Sequence, residues 1–117
     1  MTFRDDRITL LQVLDHAREA VDLASGRSDA DIKGDRVLSL ALIQLLQITG
    51  EAVTRIPDHL RSVYPDVAWR EAVEMRNRLI HGYDTIDMGV VVRAVRYQLP
   101  KLIDQVQQIL DERFPPE

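Results

Sequence analysis

Two arginines, an asparagine, a histidine and a tyrosine fall within the eight residues Arg76-Asn77-Arg78-Leu79-Ile80-His81-Gly82-Tyr83. An imidazole, which titrates near pH ~6.5, can take the proton of a ribose 2′-hydroxyl or return one to a leaving 5′-oxygen. A guanidinium can hold a phosphate through its fork of N–H groups and stabilise the charge that builds on it. Together they could cleave RNA without a metal, with His81 as acid or base, Arg76 on the scissile phosphate and Asn77 positioning them. The same residues also read as a structural pair, because a helix-terminal histidine commonly interacts with its own helix C-terminus. Chemistry by itself leaves both readings open.

Helix geometry sets what these residues can reach. Asn77 and His81 are four apart on one face, so the Asn77 amide could hydrogen-bond the imidazole and orient it. Arg76 lies about 140° round the helix from His81 and must wrap back to join it. Gly82 frees the chain at the helix end, so that His81 and Tyr83 can project into one groove with Arg76 behind them. Arg70 and Arg78 flank the motif and could grip an RNA backbone, or pair with Glu74 on the same helix. Glu51, from an earlier helix, could orient an arginine or serve only as a packing contact.

The elements that position the motif read as helices throughout. Ile8, Leu11, Leu14, Ala17, Val21 and Ala24 recur at spacings of three and four, predicting a helix from about Arg4 to Ser25 that ends before Gly26. A second is expected from Asp29–Asp31 to about Arg55, ahead of Pro57. Its apolar residues cover most of its circumference, which suits a central helix with neighbours on two sides. One polar line survives on it: Gln44, Gln47, Glu51 and Arg55 share a face, as a solvated edge or as the lining of a groove. A short turn is expected at Asp58 to Val63, then a helix from Val67 to about His81 with Asp66 as its N-cap and Gly82 as its stop. The last helix, about Met88 to Arg113, should be kinked or broken at Pro100. The fold class is all-α, an antiparallel four- or five-helix bundle within a single domain over residues 1–117.

Composition narrows the chemistry further. The 117 residues contain no cysteine, which excludes disulfides, thiolate zinc sites and cysteine nucleophiles and suits a reducing cytoplasm. His16 amid Asp15 and Glu19, and His59 beside Asp58, read as surface residues. Without a paired-histidine spacing no zinc site is expected, and no cofactor. Arg4, Asp5, Asp6 and Arg7 stand where a signal peptide needs an apolar stretch, and the uncharged run from Val37 to Gly50 is shorter than the ~20 residues that span a bilayer. No membrane partner is expected. A net charge of −4 argues against a bulk nucleic-acid coat, but the balance is uneven: −3 over residues 1–54, +1 over 55–96 and −2 over 97–117. All seven basic groups of the middle segment are arginine, whose planar fork suits phosphate.

The run Arg76 to Tyr83 resembles the R-x4-H-x-Y motif of HEPN-domain proteins, specifically the HepT-like toxins of toxin–antitoxin pairs. Arg4-Asp5, Gly50-Glu51-Ala52, Pro65 with Trp69, Met75-Arg76-Asn77 and Leu99-Pro100 also stand where that family's pattern places them, so the likeness covers nearly the whole chain. Asp84 departs from it, since an aromatic residue often follows the motif tyrosine. The resemblance implies a helical HEPN fold, a homodimer with two motifs facing each other, and a metal-independent ribonuclease acting by 2′-OH attack on RNA rather than DNA. Arg76, His81 and Asn77 take the catalytic positions. The antitoxin of such pairs is an MntA-like minimal nucleotidyltransferase that transfers AMP to the motif tyrosine, here Tyr83. HEPN domains also serve as non-catalytic modules that bind a nucleotidyltransferase, the alternative function the resemblance carries.

Overall fold

In a computed structural model, which describes residues 5–82 and 85–116, the helix starts at Asp6, Asp29, Arg36 and Trp69 can each be traced to a capping side chain or to a packing contact. Helix α1 (Asp6–Ala24) begins at Asp5, whose carboxylate accepts from the Arg7 N–H at 2.9 Å. It stops ahead of Gly26, whose φ of 76° a side chain would resist. Ser28 caps α2 (Asp29–Gly34), accepting from the Asp31 N–H at 3.0 Å. The single helix expected from Asp29 to Arg55 is in fact two. The chain breaks at Asp35, in extended conformation, and resumes as α3 (Arg36–Thr54). The Asp35 carboxylate accepts from the Leu38 N–H at 3.0 Å, so a residue that offers the backbone an alternative acceptor turns an apparent continuation into a cap. Ser39 Oγ then donates to the Ile32 carbonyl at 2.8 Å, knitting the two helices across the break.

Helix α4 (Asp58–Val63) occupies the expected turn between prolines. Helix α5 (Trp69–His81) starts two residues later than expected, and Asp66 is not its cap. Ala68 stands at the N-cap with no side-chain hydrogen bond, while the Asp66 carbonyl accepts from Gln105 Nε2 at 3.1 Å. Packing fixes this entry instead. Trp69 is buried, and its indole N–H finds the Tyr64 carbonyl at 3.0 Å, which satisfies the one polar atom of a large apolar anchor. The last rod comprises α6 (Met88–Arg93), a π-helical turn at Ala94–Gln98 and α7 (Leu99–Arg113). Pro100, within the first turn of α7, lacks an N–H and its ring crowds the carbonyl four residues back, so the wider turn immediately before it takes up the mismatch. Arg96, inside that turn, reaches the Asp29 carboxylate at 3.1 Å and the Ala24 carbonyl at 3.3 Å, tying the rod to the α1–α2 connection.

The long elements form an all-α bundle in which α1 lies between α3 and α7, and α3 between α1 and α5. Leu10 and Leu14 of α1, Leu42 of α3 and Val106 and Ile109 of α7 are fully buried at its centre. Helix α3 is long and apolar enough to cross a membrane by length and composition, but over half of that stretch is buried against its neighbours. Val37, at 79% exposure, marks the side of α3 that this chain leaves uncovered. Replacing Asp35 by Ala removes the cap that starts α3. The expected loss is about 1 kcal/mol, read as a fall of roughly 3–6 °C in Tm by circular dichroism, with Asp35→Asn close to wild type.

Candidate functional site

Helices α3 and α5 approach most closely at Gly50. A Cβ built there would lie 2.4 Å from Arg76 Cβ and 2.7 Å from the Ala72 carbonyl oxygen, so no side chain fits while the helices stay in place. The contact carries Arg76 against α3, where the next residue, Glu51, presents its carboxylate. Glu51 Oε2 is 2.7 Å from Arg76 Nη2, and Oε1 is 3.8 Å from Arg55 Nη2. Arg76 Nη1 donates to Asn77 Oδ1 at 2.7 Å. The guanidinium is thus held on two sides, and its Nε–H is buried without an acceptor among the described residues. Partly exposed ion pairs contribute at most about 1 kcal/mol, so this arrangement matters for aim more than for stability.

Arg76 opens onto a groove of about 350 Å³ walled by α1, α3 and α5. The polar line Gln44, Gln47, Glu51 and Arg55 lines this groove, with Gln44 and Arg55 exposed to solvent. His81, the last residue of α5, is exposed and opens with Arg78 onto a different pocket of about 370 Å³, floored by Leu79, Val90 and Val91. Within one chain Arg76 therefore does not wrap back to His81, because Glu51 and Asn77 hold it toward α3. The expected Asn77–imidazole contact is likewise absent among the described residues: Asn77 Oδ1 serves Arg76. Tyr83 lies outside the described residues. Arg70 pairs with Glu74 at 3.0 Å on the outer face of α5, whereas Arg78 forms no ion pair among the described residues. His59 Nε2 stands 3.6 Å from Asp6 Oδ2, in keeping with a surface position. His16, at the surface but half-buried, lines the open Arg76 groove together with Gln12. Their spacing of four on α1 was the signal that could have placed them on one face.

Gly50→Ala is expected to force α5 away from α3, since the clash is with backbone and with a Cβ rather than a flexible tip. It should cost about 1–3 kcal/mol in denaturant unfolding. Arg76 should lose its register with Glu51, visible as a changed Arg76 Nε–H environment by NMR, while Gly34→Ala, in open space, leaves that signal in place.

Comparison with known proteins places this sequence in a family. The family described as ribonuclease HepT-like matches residues 13–109, a span that contains Gly50, Glu51 and the whole motif. "Putative RNase TTE0752" of Caldanaerobacter subterraneus subsp. tengcongensis is 31% identical over 103 residues, covering 88% of this chain and 92% of its own. "Probable ribonuclease HepT" of Thermococcus cleftensis is 33% identical over 79 residues, covering 68% and 72%. "Putative RNase MJ0125" of Methanocaldococcus jannaschii is 26% identical over 112 residues, covering 96% and 97%. No solved structure matches the chain at comparable significance. With its motif helix locked to α3 at Gly50 and the family match running across most of its length, the chain belongs to the HepT-like ribonuclease family.

Proposed function

We propose that this protein is a metal-independent endoribonuclease, the toxin of a toxin–antitoxin pair, that works as a homodimer. The observation that carries the reading is the Arg76 guanidinium, aimed into an open groove by Glu51 and Asn77 one and a half turns before an exposed His81. A ready fork of N–H donors, fixed before substrate arrives, is what a transition-state phosphate requires. In the reaction an imidazole removes the 2′-OH proton, the O2′–P bond forms as the P–O5′ bond breaks, and the leaving 5′-oxygen receives a proton. Two proton-transfer groups serve those two oxygens, and a two-fold pair of chains supplies two His81 side chains. The separation of Arg76 and His81 within one chain supports the dimer, because an isologous contact near the end of α5 would bring both motifs to one cleft. Ile80, 43% exposed between the two residues and on the wall of the Arg76 groove, offers apolar surface for it to border.

In the same reading an MntA-like nucleotidyltransferase silences the enzyme by transferring AMP from ATP to Tyr83. The tyrosine oxygen bonds the α-phosphorus and pyrophosphate leaves. Tyr83 is two residues beyond His81, so the added phosphate would place negative charge and bulk where the RNA phosphate must sit.

Purified protein incubated with RNA and EDTA tests the activity. Wild type should cleave, and His81→Ala and Arg76→Ala should each lower the rate by roughly 100-fold or more. Equal absence of cleavage in all three would make the chain a non-catalytic helical module. Intact mass after co-expression with the nucleotidyltransferase tests the modification: one or more AMP units on wild type and none on Tyr83→Phe are expected, and adduct persisting in Tyr83→Phe removes the assignment.

A further inference from the structure

The groove that Arg76 enters contains more recognition chemistry than phosphate binding needs. Gln12 and His16 face it from α1, and Gln44 and Gln47 from α3, beyond the Glu51–Arg76 pair. None of these four side chains makes a hydrogen bond to another described residue. Gln105 donates to the Asp66 carbonyl and Gln107 joins Arg18 to Asp111, whereas Gln98 and Gln108, also without a hydrogen bond to another described residue, stand exposed away from this groove. Three carboxamides, each with a donor and an acceptor, and an imidazole therefore line one cavity with their polar atoms unspent inside the chain. Ile48 and Ala52 add an apolar floor, and the volume of about 350 Å³ falls within the range of small-molecule sites.

We propose that this groove is a base-specific subsite for the nucleotide beside the scissile phosphate, with adenine as its preferred base. The inference rests on the ribonuclease reading for its substrate and extends it to specificity. A carboxamide matches the paired donor and acceptor of adenine N6 and N7, whereas guanine selects a free cation and cytosine a free carboxylate. The charged groups of this groove, Arg55, Glu51 and Arg76, are engaged with one another at its far end, leaving amides to meet the base. Single-stranded RNA presents those edges unpaired, and an imidazole can stack on the base face.

The test compares short single-stranded RNAs that differ only in the base flanking the cleaved bond. Wild type should favour adenine in kcat/KM by roughly 5-fold or more, the discrimination one such pairing gives. The double variant Gln44→Ala, Gln47→Ala should bring the four substrates within about 2-fold of one another in kcat/KM, the ratio between substrates being the readout whatever the overall rate. A preference that survives in this variant overturns the subsite. So does loss of the dimer on sedimentation of the double variant, which would assign the groove to subunit contact. A second measurement does not depend on cleavage: NMR titration of the His16 imidazole with AMP, CMP, GMP and UMP. AMP should bind most tightly in wild type and lose that advantage in the double variant. Equal responses to all four nucleotides overturn the proposal. If wild type cuts no RNA, the ribonuclease reading fails, and this titration decides the subsite by itself.

Discussion

The contact at Gly50 is the constraint from which the site follows. Two helices meeting at a position where a methyl group would overlap a neighbour's Cβ cannot slide without separating, so the register of α5 on α3 is set there. The register delivers Arg76 to Glu51, because the carboxylate is the next residue along α3 and its reach is short. Packing density therefore does the work that a stronger electrostatic pair would otherwise have to do. The ion pair aims a side chain whose backbone is already in place.

The same helix carries three burdens on three faces. Toward α1 it contributes Leu42 and other core residues, toward α5 it presents Gly50, and between them runs the polar line from Gln44 to Arg55. Such a helix needs fixed ends. Asp35 and Ser39 fix its start, and the Arg96 guanidinium, projecting from the π-helical turn ahead of Pro100, holds the α1–α2 connection that precedes it. Irregularity at Pro100 thus has a structural return, since the turn carries a long cation to carbonyls that end α1.

Much of this was legible in the residues. Periodicity located the long helices, Gly26 and Gly82 marked two stops, and the spacing of Gln44, Gln47, Glu51 and Arg55 put them on one face. Part of what escaped was local: Gly34, a poor helix former, ends α2, and Asp35 directly after it gives Leu38 the acceptor that starts α3, so the break had a signal in the Gly34-Asp35 pair. The rest depends on tertiary contacts. Asp66 has the residue type of a cap, but the buried Trp69 decides where α5 enters. His16 looked like one more charged-surface residue beside Asp15 and Glu19, since nothing in a one-dimensional pattern says that α1 and α3 flank one groove. The partition of Arg76 from His81 was half visible: the 140° offset was plain, but which way the guanidinium turns depends on Glu51 across the helix contact.

That partition also reconciles an acidic chain with a polyanionic substrate. Arg55 and Arg76 bracket one carboxylate, leaving the groove locally positive by one charge while the chain as a whole is at −4. Bulk attraction cannot bring RNA to such a surface at physiological salt, where fields fade over about 8 Å. On the proposed reading, affinity comes from contacts made at close range, supplied by the amides of the groove and by the pocket of Arg78 and His81 rather than by overall charge. Low net charge and base-reading polarity are then parts of one solution.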